Sequence, residues 1–293
     1  GVHAPIDEKI KVISLYQIKS WRMRLTAYKD YLKKSGGKDN VASISSCFSA
    51  DIFNLFCRGH AVTCSSVRGN LPDNYKLEYG WRGSLLALVH LILLRGFDHV
   101  VAMTASMGKQ VSRFLGRYPE VIGNFVDEEA LEKYRTNRYN EGVIRFVFVG
   151  SLTIRKRPLL LINAIETLSS QGYKVRLEII GEGPLRNTIE SAVSNRGLDD
   201  IVHLHGQLSE LHHLVGSADV FVLPSDSEGL SRACMEALYL GVPVVLRDVD
   251  GNSELIQSGK NGFLFNSESE LPIVMLQAAN LAIEKRDRSV PLL

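Results

Sequence analysis

The chain has 293 residues, 45% hydrophobic and 23% charged, enough for two soluble α/β domains with a core each. Its net charge of +2 hides an asymmetry: residues 1–140 carry 20 Lys and Arg against 13 Asp and Glu, a net of +7, and residues 141–293 carry 14 against 19, a net of −5. Opposed halves imply different partners, the basic one suited to phosphates or an anionic membrane surface; with no nucleic-acid motif and no interleaved aromatics, a nucleic-acid partner is excluded. The longest apolar run, Leu85–Leu94, is half of the roughly twenty residues a membrane helix needs. The start, GVHAPIDEKIKV, has no apolar signal core. Cys47, Cys57, Cys64 and Cys234 form no CxxC pair and read as reduced thiols of a cytosolic protein.

Along the first half, strand-like segments stand at Ile10–Leu15, Val41–Ser46, Ala61–Ser65 and His99–Met103, with helices between. Lys19–Lys34 places Trp21, Leu25, Tyr28 and Leu32 at helical spacing among six basic residues. That pattern fits a surface helix with its apolar stripe on the core, or a basic amphipathic helix on an anionic bilayer. A polar run, RTNRYNEG, places the domain boundary near Asn140–Val143, separating residues 1–140 from 141–293.

The second half alternates regularly. Strand Arg145–Val149 precedes helix Leu159–Gln171 and strand Val175–Ile180. Helix Leu185–Arg196, strand Val202–His205 and a short helix at Glu210–Gly216 follow. The series closes with strand Val220–Leu223, helix Ser231–Leu240 and strand Val242–Leu246. Short strands alternating with helices predict a parallel sheet covered on both faces. Ligands of such sheets sit beyond the carboxyl ends of the strands.

Three features there carry chemistry. Gly181-Glu182-Gly183-Pro184 lies between a strand and a helix, where glycines let backbone amides approach a phosphate or simply make the turn. Arg155, Lys156 and Arg157 follow Gly150 at a strand end, placed either to neutralise a diphosphate or as a solvated basic turn. Glu228 lies in a loop and Glu236 two helical turns on, seven residues between them, a spacing able to grip a ligand along its length.

Together, FVGSLTIRKRP, IIGEGPL, HGQLSE, ADVFVLPSDSEGLSRACMEALYLGVPVV and DGNSELIQSGKNGFLF resemble the nucleotide-sugar-binding domain of the retaining glycosyltransferases of family 4, over roughly residues 145–265. VVAMTASM and VIGNFVDEE, with Asn124 and Asp127, extend the resemblance weakly into the first half. The resemblance implies the GT-B fold, two Rossmann-like doubly wound domains facing a cleft, here with an incomplete N-terminal one on the acceptor side. It implies that Glu228 meets the hydroxyls of the transferred sugar and that Glu236 accepts both ribose hydroxyls. Lys156 takes the diphosphate, Arg155 stands in for an arginine the family places where this chain has Ser151, and the amides of Glu228, Gly229, Leu230 and Ser231 meet phosphate or sugar. Gly206 and Gln207 fall where the family recognises the base, and Gly181 and Gly183 at the phosphate turn. Arg232 adds a phosphate contact or covers the helix surface.

The first half lacks the family's glycine-rich loop after its first strand, and the last part lacks a long terminal helix crossing back. We therefore expect a fragment without either end of a larger enzyme. No histidine stands at Ser45–Ser49 or Cys64–Arg68, where many members place one; His60 precedes its strand, and Arg68 is the candidate acceptor or phosphate contact. His203, His205, His212 and His213 have no Cys or Asp cluster and do not predict a metal site. His90, inside an apolar helix, reads as a satisfied core histidine.

The expected reaction is retaining transfer of a hexosyl or related group from a nucleoside diphosphate sugar to a hydroxyl acceptor, a lipid-linked or cell-envelope glycan. It requires no cofactor or metal and occurs in the cytoplasm, with peripheral contact to the anionic inner face of the membrane. The alternatives are an inactive or partial scaffold that binds nucleotide or a partner, and a nucleotide-sugar epimerase. A dinucleotide oxidoreductase is disfavoured, because no GxGxxG follows a strand at the start of either half.

Overall fold

The structure, a computed structural model, describes residues 14–15, 17–135, 142–284 and 291–293. It divides into two compact units, one comprising residues up to Met103 and Met107–Ile122, the other Thr104–Ser106 and Gly123–Leu293.

In the first unit, α1 (Trp21–Lys34), β1 (Ala42–Ser45), α2 (Phe48–Leu55) and β2 (Val62–Val67) lead to α3 (Leu71–Tyr79) and α4 (Trp81–Leu93). Then come β3 (His99–Ala102), α5 (Ala105–Leu115) and β4 (Glu120–Val121). The strands form a parallel sheet in the order β1-β2-β3-β4. Burial alternates along them: Ser43 and Ser45 of β1 and Thr63, Ser65 and Val67 of β2 face inward, while Ile44 is exposed. The helical hairpin α3–α4 turns at Gly80, whose φ of +60° suits glycine. At Gly83 the helices approach so closely that a Cβ would lie 1.8 Å from the Tyr75 carbonyl oxygen.

The second unit contains α6 (Glu128–Glu132), β5 (Ile144–Val149), α7 (Leu159–Ser170), β6 (Val175–Ile180), α8 (Arg186–Asn195) and β7 (Val202–Gly206). It continues through α9 (His212–Ser217), β8 (Val220–Leu223), α10 (Arg232–Tyr239), β9 (Val244–Arg247), α11 (Asn252–Leu255), β10 (Gly262–Phe265) and α12 (Leu271–Glu284). Its six strands are all parallel in the order β10-β9-β8-β5-β6-β7. Because helices cover both faces, the strands are apolar runs: Phe146, Phe148, Phe221 and all of β8 are buried. The chain winds outward from β5 to β6 and β7, then returns to its other side at β8. That reversal makes the carboxyl ends of β5 and β8 the switch point of the sheet, where ligands of such sheets sit.

Several expectations shift. The units divide at Ile122/Gly123 rather than near Asn140, because Leu131 is buried in the second core and Val126 and Tyr134 pack against it. Most of the polar run RTNRYNEG lies outside the described residues, as does the expected strand Ile10–Leu15 apart from Ser14 and Leu15, which are not in a strand. On α1 the apolar stripe faces the core: Leu25 and Leu32 are buried, and Trp21 meets Phe53 and Phe56 edge-on at 5.2 and 5.5 Å. The Tyr28 hydroxyl is 2.6 Å from Ser43 Oγ. Leu25 and Leu32 of that stripe are therefore engaged within the protein, while Trp21 at its start stays 44% exposed. Among the described residues no helix is long and apolar enough to cross a membrane. The last helix, α12, packs on strands and helix α7 of its own unit.

Candidate functional site

At the switch point of the second unit the loops that follow β5 and β8 meet. Pairing of these strands brings Lys156 and Glu228, 72 residues apart in sequence, into contact: Lys156 Nζ lies 2.5 Å from Glu228 Oε1. Arg155 Nη1 stands 3.5 Å from the same oxygen and donates to the Ser227 carbonyl at 2.5 Å. The Glu228 side chain is only 8% exposed, so its charge has lost most of its hydration and depends on these cations. Two cations thus meet one carboxylate at the end of the strands.

Arg157, the third cation of the run, belongs to a separate set. It adopts φ +50° and donates to Asp226 at 3.3 Å and to Glu268, while Arg247 reaches the same Asp226 oxygen at 2.5 Å. Two of the three cations, not all three, therefore converge on Glu228.

Asp250 holds the backbone on which Glu228 sits. Its Oδ2 accepts the Ser227 hydroxyl at 2.8 Å and the Glu228 amide at 3.0 Å. The Asp226 amide donates to the Arg155 carbonyl at 2.8 Å and stitches the two loops together. Ser231 is the N-cap of α10, accepting the Cys234 amide at 3.4 Å, and Asn124 donates to the Leu230 carbonyl at 2.6 Å. Gly229, Leu230 and Ser231 thus lead directly into the positive end of a helix. Asp127 caps α6 instead, accepting the Ala130 amide at 3.0 Å. Burial, with the Glu228 charge adding to it, pushes the Cys234 thiol far up, so it is no nucleophile.

Glu236 stands apart from Glu228 in its contacts. Its Oε2 is 3.3 Å from His212 Nε2, and Arg232 Nε is 3.8 Å from its other oxygen. His212 is thus a neighbour of the second carboxylate. Sequence spacing did not reveal it, because it sits on α9, 24 residues away.

The glycines have geometric reasons. Gly181 adopts φ +143°, and a Cβ there would lie 1.9 Å from the Gly150 carbonyl oxygen; at Gly183 it would lie 2.5 Å from that of Leu152. Both therefore let the loop after β6 press on the loop carrying Arg155 and Lys156. Gly206 accepts the Gly181 amide at 2.8 Å, and Gln207 beside it is exposed. His203 and His205 flank Glu178, His205 Nε2 at 2.5 Å. Glu254 accepts the amides of Ala105 at 2.8 Å and Ser106 at 2.7 Å; burial opposes its charge, but these bonds hold its carboxyl below the usual range. Arg68 belongs to the first unit, exposed at the rim of a cavity there.

Sequence reasoning passed over Asp250 and Arg247, and weighed His212 only as a metal ligand. Asp250-Gly251 inside DGNSELIQ was the signal for the first, since an acidic residue before a glycine marks a loop able to bind amides.

Comparison with known proteins places this geometry. A putative colanic acid biosynthesis glycosyltransferase of Salmonella typhimurium is 33% identical over 129 residues, 41% of this chain. The match spans only 32% of that relative's length. An uncharacterized glycosyltransferase of Methanocaldococcus jannaschii is 29% identical over 260 residues, covering 78% of this chain and 70% of the relative. The crystal structure of Anabaena HepE in complex with UDP superimposes with a TM-score of 0.71 at 17% identity, covering 92% of this chain and 75% of HepE. Two parallel-sheet α/β units with such neighbours make this a GT-B fold. The model of the family described as glycosyl transferases group 1 matches residues 131–284, more than half of the chain, which therefore belongs to that family.

Proposed function

We propose that the second unit binds a nucleoside diphosphate sugar and that the whole protein transfers its glycosyl group, with retention of anomeric configuration, as a family 4 enzyme. The observation that carries this is the convergence of Lys156 and Arg155 on Glu228 at the strand switch point. When donor binds, its diphosphate takes the two cations, and the freed Glu228 carboxylate accepts hydroxyls of the sugar. Removing a dianionic leaving group is the costly part of glycosyl transfer, and fixed cations with helix-end amides lower that cost. Glu236 accepts the ribose hydroxyls, with His212 orienting it. Gly206 and Gln207 contribute the base contact, and Gly181 and Gly183 keep the phosphate turn tight. In this reading no enzymic nucleophile is used, and the leaving phosphate takes the acceptor proton on the same face. The reading requires no cofactor or metal.

The acceptor is a hydroxyl of a lipid-linked or cell-envelope glycan. The Salmonella relative's description supports that class, and UDP in the Anabaena structure makes uracil the first base to test. We place the protein in the cytoplasm, peripheral on the inner membrane face, with α4 rather than α1 as the contact. Trp81, Leu85, Leu88 and Ile92 lie along one exposed face of α4, with Arg82 near its start and Arg95 just past its end. An apolar stripe with cationic ends suits anionic lipid. Sedimentation with vesicles of phosphatidylglycerol and phosphatidylcholine is expected to retain the chain at low salt and to lose Leu85→Glu.

Titration calorimetry with UDP-, GDP- and ADP-sugars tests the donor reading. Saturable binding of one nucleotide is expected, weakened about a hundredfold by Lys156→Ala and tenfold or more by Glu236→Ala, consistent with charged hydrogen bonds of roughly 1.5–3 kcal/mol. No binding by a folded chain would instead favour the scaffold reading.

A further inference from the structure

The end of β9 and the loop after it hold the Glu228 loop at three points. Arg247, the last residue of β9, reaches Asp226 at 2.5 Å. Asp250 Oδ2 accepts the Ser227 hydroxyl at 2.8 Å and the Glu228 amide at 3.0 Å. Gly251 packs so closely that a Cβ there would lie 3.1 Å from the Gly229 carbonyl oxygen. Ser227 and Glu228 are both buried, so the two bonds to Asp250 form where water cannot easily replace them.

An aspartate in this place carries two penalties. Its φ of +48° lies in the left-handed region, which glycine enters without steric cost. Its charge also stands near Asp226 and Glu228, beside a site read as taking a diphosphate, where like charge is unfavourable. Both penalties are offset by what glycine lacks, an oxygen that accepts from the serine hydroxyl and the glutamate amide together. Strained backbone persists where the surrounding structure over-determines it, and it marks sites at which geometry matters. The four amides from Glu228 to Ser231 consequently differ. That of Glu228 is taken by Asp250, whereas those of Gly229, Leu230 and Ser231 have no hydrogen-bond partner among the described residues. The sequence alone treats the four alike.

We propose that Asp250 is a positioning residue for Glu228: it reserves the Glu228 amide, leaves the next three amides to the donor phosphates, and aims the Glu228 carboxylate at the transferred sugar. The inference rests on the donor reading for the identity of the ligand. Without ligand, Glu228 is held from two sides, by Asp250 at its amide and by Lys156 and Arg155 at its carboxylate. Once a diphosphate takes the two cations, the Asp250 hold is the one that stays. Asp250 therefore governs what the sugar adds to binding and not what the nucleotide adds. Misplacing a charged acceptor of sugar hydroxyls costs about tenfold in affinity.

The test uses the full chain and calorimetry with UDP, GDP and ADP and with their glucose, galactose and N-acetylglucosamine conjugates. Its readout is the affinity ratio between the nucleotide sugar that binds and its parent diphosphate. Asp250→Gly relieves the backbone and removes the acceptor, whereas Asp250→Asn tolerates positive φ and keeps a carbonyl acceptor. The ratio is expected to fall about tenfold in Asp250→Gly and less than about threefold in Asp250→Asn, with the parent diphosphate bound no more weakly than by the wild type. A merely structural role would reduce the fraction of competent chain, weaken both ligands together and leave the ratio intact, which would overturn the proposal. Equal falls in the two variants would overturn it as well, since charge rather than the bond pair would then act. Hydrogen exchange in the wild type keeps the test open if Asp250→Gly fails to fold. The Glu228 amide is expected to exchange slowly with and without ligand, and those of Gly229 and Leu230 to become protected only with the nucleotide sugar. Fast exchange at Glu228 in the free chain, or protection gained there on binding, would count against Asp250. Wild-type chain that binds none of the nucleotides removes the donor reading and this inference together. Binding with a ratio indifferent to Asp250→Gly removes this inference alone.

Discussion

The two units share a parallel α/β plan but are cemented differently. In the second, one continuous apolar core runs under six strands, and β8 is buried along its whole length. In the first, the inward positions of β1 and β2 are Ser43, Ser45, Thr63, Ser65 and Val67, bridged by Asp51, Asn54 and His90. The apolar cluster that holds α1 there is small, built on Leu25, Leu32, Cys57 and Ala61. A parallel sheet can thus be closed by burying hydrocarbon, as around β3 of the first unit, where Leu91, Leu94, Phe97, Val100, Ala102 and Val111 are buried, or by satisfying buried polar groups, as between β1 and β2. The second solution tolerates far less loss, because every orphaned donor is costly in a dry interior.

The largest expected effect tests the apolar side. Phe221→Ala, at a residue with no exposure in the middle of the second sheet, should cost about 3–5 kcal/mol. Circular dichroism during urea unfolding should show it. Both tryptophans, Trp21 and Trp81, lie in the first unit, so fluorescence should barely respond if the units unfold independently. The counterpart is Asp51→Ala, which orphans two hydroxyls and an imidazole at once and should cost roughly 3 kcal/mol, this time in the fluorescence transition. A loss below about 1 kcal/mol would break the comparison.

The same contrast explains what the sequence made readable. Apolar runs such as Phe146–Val149 and Val220–Leu223 declare strands, and the second unit's expected elements formed within a few residues of their expected bounds. β10 and α12 went unnamed, since GFLF reads as a tail of its motif. In the first unit, strand placement was legible at β1, β2 and β3, but inward serines and threonines leave no hydrophobic period to follow. His90 was legible as a satisfied core histidine; its partner, 39 residues away on α2, was not. In the candidate site, Glu228, Glu236, Lys156 and Arg155 were legible through their resemblance to a family. Their division into two contact sets, and the roles of Asp250 and Arg157, required strand order and backbone conformation.

A smaller effect sharpens the polar side through pH. Asp98 accepts both the amide of Thr63 at 2.9 Å and its hydroxyl at 2.8 Å, tying β2 to the segment before β3. The Thr63 backbone bond above all holds its carboxyl below the usual aspartate range, against the opposing effect of burial. A carboxyl lowered on folding stabilises fully above its unfolded pKa of about 3.9, and the contribution disappears as pH falls through the folded value. Asp98→Asn should therefore lower the fluorescence midpoint by about 1 kcal/mol at neutral pH. The difference from wild type should shrink only below about pH 4. A difference constant down to pH 2.5 would mean that the carboxylate charge contributes nothing.

The smallest effect lies where fold and function meet in the second unit. Ser231 stands between the two carboxylates, capping α10, the helix that carries Glu236. Its hydroxyl satisfies the Cys234 amide and, in the proposed donor complex, would also face phosphate or sugar. Ser231→Ala removes both and should cost about 1 kcal/mol of stability, whereas Ser231→Gly, which also removes the hydroxyl, should cost only a few tenths. If the cap alone matters, donor affinity should fall a few-fold in Ser231→Ala and stay near wild type in Ser231→Gly. Equal losses in the two variants would assign the hydroxyl to the ligand. The long 3.4 Å cap bond favours that second outcome, because a weakly engaged hydroxyl can turn toward a phosphate at little cost. We expect the two variants to lose donor affinity alike, by less than tenfold, while only Ser231→Ala shifts the unfolding midpoint.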